Sequence, residues 1–136
     1  MMRRYIPIVA AVLSIIAANP AVAKPRVIRL TSVKVNTSNT KTGSIDHDSD
    51  RIGSSVIGHD TVTCTATGKN SARCKVTFVR PSFGNLYLSF RTTFTASSGH
   101  GIVTGGTRAY AGATGTFWYK SLNKSGSRTA VVVMLK

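Results

Sequence analysis

Glutamate is missing from this chain altogether, and aspartate occurs only at Asp46, Asp48, Asp50 and Asp60. Acid–base chemistry resting on a Glu is therefore excluded, and any carboxylate work falls to those four positions. Cysteine is limited to Cys64 and Cys74, too few for a multi-bridge scaffold or a thiolate metal centre. His47, His59 and His100 stand far apart in the sequence, so no ligand spacing suggests a metal, and none is expected. The glycine-rich stretch after residue 104 lacks a following helix and a Gly-Lys-Ser/Thr ending, which excludes a phosphate-cradling loop. No cofactor is implied. Helical periodicity is absent beyond the N-terminal segment, and no run of five Lys or Arg occurs.

That segment reads as an export leader. Arg3 and Arg4 precede a charge-free run from Ile6 to Ala18, and Pro20 and Ala21-Val22-Ala23 follow. The run is shorter than the ~20 apolar residues a membrane-spanning helix needs. The expected organisation is a signal peptide over 1–23 and one domain over 24–136, placing the product outside the cytoplasm, in the periplasm or beyond. Net charge is +14, and losing Arg3 and Arg4 with the leader lowers it by two, to +12. So basic a surface attracts anionic polymers such as nucleic acid or cell-wall glycan. In an oxidising compartment Cys64 and Cys74 are expected to pair, because the turn-like segment between them folds them back as a hairpin.

Strand signals fill the rest of the chain. Arg26–Asn36 alternates, and 37–49 is polar and reads as a loop carrying the Asp-His-Asp-Ser-Asp run. Further strands are expected at 51–57, 62–67, 72–79, 86–96, 100–104, 116–122 and 128–135. Eight short strands with tight connections suggest an antiparallel barrel or a sandwich.

The segment Ile102-Val103-Thr104-Gly105-Gly106-Thr107-Arg108-Ala109-Tyr110-Ala111-Gly112-Ala113-Thr114-Gly115 resembles the late motif of the allene oxide cyclase/dirigent barrel family. Ser49-Asp50-Arg51-Ile52 and Ile57-Gly58-His59-Asp60-Thr61-Val62-Thr63-Cys64 resemble that family's second strand and the segment leading to a cysteine. The resemblance spans about Asp50 to Leu135 and implies an all-β, closed, antiparallel eight-stranded barrel. Two departures qualify it: Arg108 stands where the family usually has Gly, and Thr114 replaces the usual Arg. The family's plant cyclases use a pocket Glu, so the resemblance does not carry allene oxide cyclisation to this chain. Thr104, Gly105, Gly106, Thr107, Gly112 and Gly115 are read as barrel-building rather than chemical residues.

Asp46-His47-Asp48-Ser49-Asp50 begins like a calcium loop, but Arg51 and Ile57 occupy the positions that need Gly and Glu. Asp50 and His59 are the candidate proton-transfer residues, and Arg91, Arg108, Tyr110 and Trp118 the candidate ligand contacts. The resemblance implies a small, largely apolar or phenolic ligand whose ring closure the barrel guides. The alternative is a non-enzymatic cationic protein holding an anionic polymer.

Overall fold

The computed structural model describes residues 26–136. The expected leader lies outside them. Eight strands follow one another: β1 (Arg26–Asn39), β2 (Gly43–Ile52), β3 (Ser55–Ala66), β4 (Ser71–Arg80), β5 (Gly84–Thr93), β6 (Ser98–Gly106), β7 (Gly115–Ser121) and β8 (Arg128–Leu135). Each pairs antiparallel with the next, and β8 pairs back onto β1, so the sheet closes as a barrel. Closure leaves no strand with an unpaired edge. No helix among the described residues is long and apolar enough to cross a membrane.

The expected loop over 37–49 is instead the last three residues of β1 and most of β2, joined at Thr40–Thr42. Polarity misleads there because a barrel wall needs only one apolar face, and this part of the inner wall is not apolar. The strand expected at 51–57 straddles a tight turn, with Gly53 at φ 62. A β-bulge at Val35 breaks the register between Lys34 and Asn36. A second irregularity lies at Asp50/Arg51.

Alternation sorts the side chains into lumen and exterior. One half of the lumen is a packed plug built on Ile28, Phe78, Leu86, Val103, Phe117 and Val133. That end is closed by a single 3-10 turn, Arg108–Tyr110, which drives the Tyr110 ring into the core. Gly115 is needed nearby, because a Cβ there would stand 2.0 Å from the Met134 carbonyl oxygen. Arg108 has φ 55, a left-handed conformation that costs a residue with a Cβ on the order of 1 kcal/mol. This is the physical reason glycine suits the position. Arg108 Nη1 donates to the Pro81 carbonyl at 3.3 Å.

Cys64 and Cys74 face one another in the β3–β4 register and form a disulfide, with Cα atoms 4.1 Å apart. The bridged loop is short, so chain entropy assigns the link about 2–3 kcal/mol.

Candidate ligand site in the barrel lumen

Above the plug the lumen is hollow, with a cavity of about 180 Å³. Its position follows from side-chain size. Ser32, Asp48, Asp50 and Asp60 occupy inward positions that larger apolar residues fill elsewhere. Asp46, Asp48 and Asp50 lie at i, i+2 and i+4 of β2, so all three turn inward, and Asp60 joins them from β3. All four acidic side chains of the protein therefore line one cavity.

The register sharpens this arrangement. Asp48 pairs directly with Asp60 across β2 and β3, and Asp50 stands opposite Gly58, which has no side chain to compete for space. Two anions directly opposed on a sheet repel. Among the described residues Lys34 is the one cation lining the cavity, and it pairs with Asp46 at 3.6 Å, where Thr37 Oγ1 also donates at 2.7 Å. For Asp60 the hydrogen-bond donor is Ser32 Oγ, which reaches Oδ2 at 3.1 Å. Both oxygens of Asp50 and Oδ1 of Asp60 are buried with no hydrogen-bond partner.

Burial without a compensating cation disfavours the charged form. Asp60 is pushed up to about 8, first by burial and then by its Asp50 neighbour. Burial and the adjoining Asp60 raise Asp48 to about 7. Asp50 is also raised, by burial, although its nearness to Asp60 and Ser32 pulls the other way. Asp60 is thus biased toward its neutral form at neutral pH. A neutral carboxylic acid in a cavity is a hydrogen-bond donor and a general acid.

The opposite wall is different in kind. β2 and β3 lie four places round the barrel from β6 and β7. Phe117 and Tyr119 of β7, with Phe90 of β5, present aromatic rings to the cavity. Phe90 packs edge-on to Phe117 at 5.7 Å and tilts against Tyr119 at 5.0 Å. The Tyr119 hydroxyl donates to Thr92 Oγ1 at 3.0 Å, which holds its ring in place.

Of the residues singled out from the sequence, Asp50 lies in this cavity, fully buried. His59 does not: it is one position from Asp60 on β3 and so points to the exterior. Trp118 is outside as well, 53% exposed, with its ring tilted against His100 at 4.9 Å. Arg91 is exposed on the outer face of β5, beside a shallow depression shared with Arg73 and His100. Arg108 lies on the surface of the closed end and does not line the cavity. Tyr110 is inside but at the closed end, where Arg80 Nη1 donates to its hydroxyl at 3.3 Å. Strand parity or turn position, and not chemistry, sets these four outward residues apart from the cavity. The motif residues Thr104, Gly105, Gly106, Thr107, Gly112 and Gly115 lie in β6, at the start of β7 and in the bend between them. There Thr104 Oγ1 donates to the Tyr87 carbonyl, and Thr107 Oγ1 accepts from the Asn85 N–H.

Asp48, Asp60, Phe90, Phe117 and Tyr119 complete the site without having been selected as site residues. The signal for Asp48 was present: Asp at every second residue is a strand pattern with one acidic face.

Fold and site together define a closed eight-stranded barrel with an acid-lined cavity, a fold shared with dirigent and cyclase-like barrels. Among solved structures it resembles a pyocyanin demethylase, with a TM-score of 0.66 and 17% identity over 80% of this chain and 99% of that one. It also resembles the pterocarpan synthase dirigent protein GePTS1, with a TM-score of 0.55 and 15% identity over 83% of this chain and 86% of that one. The Diels Alderase AbmU from Streptomyces koyangensis gives a TM-score of 0.59 and 12% identity over 98% of this chain and 84% of that one. These likenesses are of fold. No family model and no curated protein matches the sequence.

Proposed function

We propose that this is an exported barrel whose lumen binds one small, largely apolar molecule, holds it away from water and guides its ring closure. The observation that carries the reading is the gathering of every acid in a strongly basic chain around one cavity, facing an aromatic wall. Such a site supplies shape, exclusion of water and a proton donor at neutral pH, with Asp60 as the acid and Asp50 as its partner. Asp48 tunes the pair. A cavity of about 180 Å³ suits a single substituted ring, since ~150 Å³ accommodates benzene. The likeness to a demethylase, a pterocarpan synthase dirigent protein and a Diels Alderase supports a small-molecule role. The disulfide and the leader-like N-terminus support export. Native mass spectrometry of the protein purified from its host is expected to show one small molecule per chain. Val131→Phe, which fills the lumen, is expected to remove it. A retained molecule in that variant would place binding elsewhere.

A second reading concerns the exterior. With every carboxylate side chain drawn to the cavity, the outer wall carries Lys and Arg unopposed, which favours a polyanion. Retention on an immobilised anionic polysaccharide is expected to fall steeply between 50 and 500 mM salt, ~10-fold or more. Salt-independent retention would rule this reading out.

A further inference from the structure

We infer that the ligand of the lumen is a cation: a small amine on a one-ring apolar body, with its ammonium group seated between Asp50 and Asp60. The inference rests on the lumen being the ligand site, and it specifies the chemistry of the occupant. Asp50 is fully buried, lines the cavity and has two oxygens without a donor, and Oδ1 of Asp60 is a third. A primary ammonium carries three N–H donors and no acceptor, which matches three orphan acceptors on one wall. Hydrogen bonds between ionised partners are about twice as strong as neutral ones. Among the described residues no other cation lines the cavity, and Lys34 is engaged with Asp46. The rings of Phe90, Phe117 and Tyr119 lie across the lumen, where an apolar body would pack.

A neutral ligand would leave this wall poorly served. A hydroxyl brings one donor, and an anion brings none and meets repulsion. The basic exterior opposes approach of a cation, but that field decays within about 8 Å at physiological salt, whereas a buried contact is little screened. Salt should therefore speed entry without weakening the complex.

Entry of an ammonium displaces a proton that the carboxyls otherwise hold. The groups facing the site from the surrounding strands are Lys34 on β1, Asp46, Asp48 and Asp50 on β2, Asp60 on β3 and Tyr119 on β7. The cavity residues contributed by β4, β5 and β8 are not ionisable at neutral pH. Affinity for an amine should thus rise with pH, by up to ~10-fold per unit while one proton is released.

Calorimetric titration with 2-phenylethylammonium and its neutral isostere 2-phenylethanol, at pH 6 and pH 8, tests the inference. The expected result at pH 8 is ~10-fold or greater preference for the ammonium, shrinking at pH 6. In Asp50→Asn/Asp60→Asn the preference for the ammonium over the alcohol should vanish. The wild-type comparison of the two probes stands on its own if that variant does not fold. Equal or tighter binding of the alcohol would overturn the cation inference and leave the lumen reading intact. Failure of both probes to bind would overturn both.

Discussion

Raising the pH from 5 to 8.5 is expected to destabilise this protein, by on the order of 4 kcal/mol, and Asp60→Asn is expected to remove most of that loss. The direction follows from the folded state binding protons more tightly than the unfolded chain. An unfolded aspartate titrates at 3.8, whereas folding moves Asp60 to about 8 and Asp48 to about 7. Stability from these groups is complete below the unfolded value and drains away as pH climbs through the folded ones. Asp60 carries most of it, being the more buried. Asp48 is more exposed, and water screens its share. The positive net charge acts in the opposite sense, favouring ionised carboxylates, but it acts across solvent and cannot match desolvation at close range. Thermal melts at the two pH values should differ by about 15–25 °C for a domain of this size. Asp60→Asn keeps the shape and the Ser32 contact without a charge to bury, so its melting temperature should be nearly flat and exceed the wild type at pH 8.5. A wild-type profile that rises toward pH 8.5 would show that the acids are ionised and served by water or a cation.

The second large effect concerns the opposite end of the barrel. Tyr110→Ala is expected to cost about 3–5 kcal/mol in urea unfolding, a large fraction of the stability of a small domain. Tyr110 is 1% exposed and is the largest fully buried side chain. Its ring stacks on Phe83 at 6.2 Å and lies under the Arg26 guanidinium at 5.5 Å. The backbone is committed to this placement as well. Gly106 lets the chain pass so close that an added Cβ would meet the Tyr110 carbonyl oxygen at 2.4 Å. Tyr110→Phe loses only the hydrogen bond from Arg80, so about 1 kcal/mol is expected. Because Tyr110 does not line the cavity, ligand binding in Tyr110→Phe should match the wild type. A loss below about 1 kcal/mol in the alanine variant would mean that the 3-10 turn is not the stopper of the barrel.

The two effects divide the lumen by function. The closed end is packed and apolar and keeps the strands together. The hollow half gives up that packing to accommodate acids, and a low-dielectric cavity makes those acids proton holders. The same substitution can therefore be neutral or stabilising on one level and harmful on the other. Asp60→Asn should strengthen the fold while weakening the site, the usual sign of a residue retained for chemistry.

Much of this was legible in the residues. Period-two alternation, turn residues and the two cysteines led to eight strands and a stapled hairpin, and β8 falls at the expected 128–135. Asp50 was singled out, and it is buried in the cavity. The remaining candidates were chosen by chemical type, and type carries no information about which side of a wall a residue faces. His59 and Asp60 are neighbours in sequence, yet one is in solvent and the other in the lumen. The Asp-His-Asp-Ser-Asp stretch looked like a loop because its inward face is polar, and strand recognition leans on apolar alternation.

What the sequence determined unaided was whatever depends on local spacing and total composition: strand after strand, one disulfide, a basic surface and a scarcity of acids. Only the tertiary structure decided that those acids meet. Closure of β8 onto β1 turns one face of every strand into a shared interior, and Asp48, Asp50 and Asp60, up to twelve positions apart in the chain, become neighbours there. Their elevated proton affinity is a property of that enclosure, since exclusion of water, rather than any feature of aspartate, sets the cost of charge.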